Sequence, residues 1–243
     1  MTNRTARTVP ALLLAASLTA ALAGCVFVPT AASGPRVSED RDIEAVTAIV
    51  LETDGDVVVT LGDTPALTIT APEGAMDRLT TRIVDDVLVL GREGPGWGFG
   101  DVDYAITLPL VSDIEIKGSG DVDADFSGAD EVRVSIEGSG DVSGVGLEAT
   151  SVESAISGSG DIELTGTADD HTLEIDGSGN FDGQDFETRR ARVEISGSGD
   201  VEVNVTETLD AEVSGSGEIR YTGDPEVTSQ VSGSGSVSND SED

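Results

Sequence analysis

The chain has 243 residues and a formal net charge of −34 at pH 7, from 13 Lys and Arg against 47 Asp and Glu. That balance excludes nucleic acid, whose binding needs Lys and Arg to displace counterions, and it excludes direct electrostatic attraction to anionic lipid. Aromatic residues are 3% of the chain, so any core must be built from Val, Ile, Leu and Ala, types that favour strands.

Residues 1–25 read MTNRTARTVPALLLAASLTAALAGC. Arg4 and Arg7 form a basic start, Ala11 to Leu22 an apolar stretch too short to span a bilayer, and small residues follow. This pattern predicts a secretory signal over 1–24. It ends in Leu22-Ala23-Gly24-Cys25, which resembles the lipobox of bacterial lipoproteins. The resemblance implies cleavage before Cys25 and lipidation, such as palmitate, of that residue. Cys25 is the only cysteine, so no intrachain disulfide can form. Residues 25–40, with Pro29, Gly34 and Pro35 and no periodic pattern, read as a flexible tether. The expected location is the cell membrane, lipid-anchored, on the extracytoplasmic side.

Beyond the tether, apolar and polar residues alternate with period two, the mark of strands with one buried face. In AIVLETDGDVVVTL (48–61), Ile49 and Leu51 precede a Thr53-Asp54-Gly55 corner, and Val57, Val59 and Leu61 follow it. LTTRIVDDVLVLG repeats the scheme around Asp85-Asp86. The stretch 91–104, GREGPGWGFGDVDY, breaks any strand and reads as a protruding loop. It carries the only tryptophan, Trp97, with Phe99, so these two are candidate contact residues for a sugar or a protein.

Seven copies of Gly-Ser-Gly then begin at residues 118, 138, 158, 177, 197, 215 and 233, a period of 18–20 residues. Two residues before each copy stands an aliphatic residue, from Ile116 to Val231, and two residues after each an apolar one, from Val122 to Val237. A linker would carry no such order. Near-identical residues held at one phase form continuous ladders only where equivalent positions become neighbours. The prediction is an all-β, right-handed parallel β-helix of about ten coils over residues 41–238. An acidic tail, 239–243, follows; the solenoid ends expose strand edges, and the tail discourages end-to-end growth.

VLETDGDVVVTLGDTPALTITAP, DDVLVLG, ITLPLVSDIEIKGSGDV and the serial SGSGD repeats ending in YTGDP resemble the head GIN domain family, labelled putative autotransporter adhesin. The resemblance covers roughly residues 41–238. It implies a β-helix and an adhesion role, and it brings no catalytic residues to carry over.

Asp121, Asp141, Asp161 and Asp200 follow the second glycine of their corners, with Asn180, Glu218 and Ser236 at that position elsewhere. In a parallel coil they form one column about 4.8 Å apart, where neighbouring carboxylates repel. Two readings explain it. The column can hold Ca2+, a hard cation that takes oxygen ligands, or each Asp can fix its turn by accepting backbone N–H groups. No other cofactor is expected. The only histidine, His171, falls at an inward phase and reads as structural. Arg189, Arg190 and Arg192 read as charge compensation for nearby acids such as Asp182, Asp185 and Glu187. The expected function is a non-catalytic envelope lipoprotein with a β-solenoid binding domain. Its partners are the membrane through its lipid and an envelope or surface protein or glycan. The alternatives are a calcium-binding module and a polysaccharide-acting β-helix enzyme.

Overall fold

The structure, a computed structural model, describes residues 34–94 and 100–240. Its repeated half matches the expected solenoid. Strands β8 (Asp113–Ile116), β10 (Glu131–Gly138), β11 (Val142–Gly158), β12 (Ile162–Gly177), β13 (Phe181–Gly197) and β14 (Asp200–Gly215) stack in parallel with β9 (Val122–Asp125), β15 (Glu218–Thr222), β16 (Glu226–Gly233) and β17 (Ser236–Asn239). The longer strands run around a bend and pair along both arms. The solenoid has about six turns, fewer than the roughly ten coils expected, because part of the chain before β8 goes into antiparallel strands.

The register places each repeat on the next in phase. Ile116, Ile136, Ile156, Ile175, Ile195 and Val213 form one inward column, all fully buried or nearly so. At the corner, the amide of Ser159 donates to the carbonyl of Gly138 (2.9 Å), that of Ser178 to Gly158 (2.8 Å), and that of Ser198 to Gly177 (2.8 Å). The glycines lie directly over one another. A Cβ on Gly158 or Gly160 would sit closer than 3.0 Å to the carbonyl of Gly138 or Gly140 in the coil before, and Gly158 also has φ +145°. Hence the corner is written Gly-x-Gly: backbone packs on backbone.

Residues 36–112 depart from the expected serial coils. β2 (Ala48–Leu51) and β3 (Asp56–Leu61) do form a coil, and its Thr53-Gly55 corner lies directly against Gly118 and Gly120 of the first Gly-Ser-Gly. β6 (Val87–Arg92) and β7 (Asp103–Leu108) come later in the chain but stack on the opposite side of that coil. The spatial order is therefore β6/β7, then β2/β3, then β8/β9. Between β3 and β6 the chain builds β4 (Ala66–Pro72), the short α1 (Glu73–Met76) and β5 (Leu79–Val84), with β4 antiparallel to β7 and β5 antiparallel to β6. Asp85-Asp86 is the hairpin turn joining β5 to β6, with φ of 51° and 65°, and not a coil corner. Paired positive φ is the twist-matched two-residue hairpin that Asp tolerates.

The strands also begin within the stretch that the tether reading covers. β1 (Arg36–Arg41) pairs antiparallel with β4, and Arg41 donates to the carbonyl of Leu79 and the hydroxyl of Thr81. Four of its six residues are charged, so no apolar alternation marks it as a strand. Cys25 and the signal segment lie outside the described residues.

Candidate functional site

The corner aspartates do form a column, and each reaches forward one coil. The Asp121 carboxylate accepts from the Asp141 amide (3.0 Å), Asp141 from the Asp161 amide (2.8 Å) and Asp161 from the Asn180 amide (2.8 Å). Asn180 then takes the Asp200 amide (3.0 Å), and Asp200 the Glu218 amide (3.2 Å). This favours the backbone-binding reading, with one change. The amide served belongs to the next coil and not to the residue's own turn. It also explains why Asn180 fits among carboxylates: an amide oxygen accepts the same bond, and its Nδ2 donates back to Asp161 (2.9 Å). Asp121, Asp141, Asp161 and Asp200, the candidate calcium ligands, thus spend an oxygen on the ladder. Among the described residues no group of three or more Asp, Glu, His or Cys is placed to hold a metal.

Asp56 begins the same column beside Asp121. Burial raises its carboxyl above the usual range, with the charges of Asp121, Asp103 and Asp101 adding to the effect and the Asp121 amide opposing it.

Beside this column runs an open trough of about 760 Å³, reaching from β3 to β15. Its second wall comes from outward residues two positions on: Asp123, Ser143, Glu163, Asp182, Glu202 and Arg220. Arg220, the single cation of the lining among the described residues, bonds Glu202 and Glu218. Its guanidinium, followed by the Gln184 amide, holds Glu202 below the usual carboxylate range. This second acidic column was overlooked in the sequence, although its signal is there: DVD, DIE and DVE place acids at both outward positions around a buried residue, and NFD places one at the second.

His171 is fully enclosed between Phe181 and Phe186, with ring centroids 4.9 and 5.3 Å away. Its Nε2 lies 3.1 Å from the buried Ser154 hydroxyl, and its Nδ1 has no hydrogen-bond partner among the described residues. Burial pushes the imidazole down to about 3, so it is neutral. Ser154, which interrupts the apolar column in the sequence, fills that place as the histidine's partner. The arginine cluster is charge compensation, but with most of its partners one coil away; only Glu194, which bonds Arg192, lies in the same strand. Arg189 bonds Asp169 and Glu207, Arg190 bonds Asp170, and Arg192 bonds Asp210. Parallel stacking makes residues 18–20 apart into neighbours, which outweighs closeness along the chain. Trp97 and Phe99 lie outside the described residues.

A stacked parallel solenoid with a continuous corner ladder and a solvent-open trough defines the class: a rigid rod that presents one repeated face. The family model described as putative auto-transporter adhesin, head GIN domain, matches residues 45–225, and the chain belongs to that family. Family membership marks it as an adhesin-like surface or envelope protein.

Solved structures agree. A putative adhesin from Bacteroides fragilis is 27% identical, with a TM-score of 0.80 over 86% of this chain and 98% of that one. A protein described as a putative lipid binding protein, from Parabacteroides distasonis, is 25% identical, with a TM-score of 0.70 over 85% and 97%. A putative adhesin from the same species is 21% identical, with a TM-score of 0.69 over 86% and 98%, and shows the shared fold. No curated protein matches the chain. Among the described residues no helix is long and apolar enough to cross a membrane.

Proposed function

We propose that the chain is a non-catalytic, lipid-anchored adhesion module of the cell envelope, held through Cys25 on the extracytoplasmic side, and that the acidic trough is its binding face. The observation that carries this reading is the trough itself. Two outward columns, acidic at most positions, run beside each other over successive coils, on a scaffold whose inward columns hold them rigid. Preorganised repeated groups lose little entropy on binding. The partner is an envelope or surface protein or a glycan that offers basic groups at matching intervals. Its association is fast and salt-sensitive, because complementary fields steer encounter and are screened by ions.

The sealed position of His171 supports the non-catalytic reading, since substrate cannot reach the Ser154–His171 pair. A calcium-loaded column is less favoured, because the ladder already takes one oxygen of each carboxylate.

The test is a cross-linked pull-down from whole cells with the full chain. The variant Asp123→Asn, Glu163→Gln, Asp182→Asn keeps side-chain size and leaves the corner ladder intact. It is expected to lose the captured partner, and added salt is expected to release it from the wild type. Capture that ignores both changes contradicts the trough as the binding face. Cys25→Ser is expected to move the protein out of the membrane fraction; retention there contradicts the anchor.

A further inference from the structure

The two ends of the solenoid are finished differently. At the first end, β1, β4, β5 and α1 cover the β6/β7 coil, and Ala71, Ala75, Met76 and Leu79 are buried beneath them. The outermost strand there, β1, carries four charges in six residues, the usual protection of a sheet edge.

At the other end, among the described residues, β16 pairs only with β14 and β17 only with β15, so both have an edge that no described strand covers. The apolar columns emerge uncovered. Val231 is 43% exposed, whereas Val213, its neighbour in the same column, is 0% exposed.

Beyond Glu226, which takes the place of Thr208, this last coil has shed its charge. In register, Asp210 gives way to Thr228, Glu212 to Gln230, Glu218 to Ser236 and Arg220 to Ser238. From Val227 to Asn239 there is no charged residue, in a chain of net charge −34. Those replacements remove what normally protects a free edge. They also say what the edge meets. A basic partner would be drawn by the acids that the earlier coils keep. A partner with the same strong negative charge can approach only where the charge has been removed, and a second copy of this chain is such a partner.

We infer that the last coil is a self-association surface, on which two copies meet end to end about a two-fold axis. β16 of one copy lies antiparallel to β16 of the other, continuing the ladder and covering Val231. Because the first end is covered and charged, head-to-tail growth is blocked and the assembly closes as a dimer. The acidic tail then limits growth without preventing this single contact.

Cysteine cross-linking of the full chain in the membranes of producing cells tests this. Thr228→Cys, Gln230→Cys and Ser232→Cys are introduced singly on β16, with Ser38→Cys on β1 as the opposite-end control. Oxidation is expected to give a product of twice the chain's mass from the β16 set, strongest at the position nearest the axis, and none from Ser38→Cys. Thr228→Asp with Gln230→Glu restores the types that the preceding coil carries at 210 and 212, so folding is kept. Like charges then face each other across the axis, and the Ser232→Cys product is expected to fall about tenfold or more. Gln230→Glu alone gives a smaller loss of the same sign. A product of any other mass, equal product from Ser38→Cys, no doubled product, or a yield indifferent to the restored charges overturns the inference.

Discussion

Residues 113–239 and residues 36–112 build one continuous stack by opposite means. The later half writes nearly the same coil again and again, and chain order equals stacking order. The earlier half uses unrelated sequences and places β6/β7 outside β2/β3, although it follows them in the chain. The later half closes its corners with glycine backbone on glycine backbone. The earlier half closes its end with side chains and antiparallel strands. A repeat lengthens a rod, but only an irregular segment can end one, because a cap must stop presenting the edge that the repeat always offers.

Substitutions at glycine sharpen this contrast most. Gly160→Val drives a side chain into the carbonyl of Gly140 and the methyl of Ile136. A loss of more than about 3 kcal/mol is expected in denaturant unfolding, since neither neighbour can yield. In the earlier half, a Cβ on Gly62 meets only the Thr107 methyl, which can turn aside. Gly62→Ala is expected to cost under about 1 kcal/mol. Equal costs would mean that the two halves pack alike.

Acid should act through the later half, which holds the only histidine. His171 is neutral when folded, at about 3 against an ordinary 6.5, so the unfolded chain binds the extra proton between those values. Stability is therefore full above about pH 6.5 and falls as pH drops below it, by up to about 1.4 kcal/mol per unit, or about 2 kcal/mol by pH 5. His171→Leu removes that slope. Parallel pH profiles for the two proteins would contradict a buried neutral imidazole.

Within one apolar column, the covered and open coils can be compared directly. Val213→Ala is expected to cost about 2 kcal/mol and Val231→Ala under about 1 in dilute protein. A cost at Val231 that grows with protein concentration reports the dimer.

The corner ladder gives the smallest effect. Asp161→Ala strips the Asn180 amide of its acceptor, for about 1 kcal/mol, while Asp161→Asn is nearly neutral because position 180 already uses an amide. Melting temperatures in calcium and in chelator are expected to agree. A rise with calcium that Asp161→Asn abolishes would restore the cation reading.

The repeated half was legible because periodicity fixes a register: once Gly-Ser-Gly is in phase, the Ile116-to-Val213 column and the corner ladder follow. The partners of Arg189 and Arg190 were not, since a single sequence shows chain neighbours and hides stacking neighbours. β1 was hidden by its charges. Asp85-Asp86 was misleading because a hairpin turn and a coil corner both interrupt alternation with the same residue types. The order of β2/β3 and β6/β7 had no local signal at all, as it depends on which corner accepts Gly118 and Gly120.

That order also sets where the trough begins, because Asp56 lines it only when β3 lies beside β9. Paired cysteines test it directly. Val50 is the register partner of both Val89 and Glu115. Strands one step apart lie within disulfide reach, and strands two steps apart do not. The variant Val50→Cys, Glu115→Cys is expected to form an intrachain disulfide, located by peptide mass, while Val89→Cys, Glu115→Cys forms none. A bridge in the second variant and none in the first would put β6 beside β8, and would contradict both the coil order and the trough built on it.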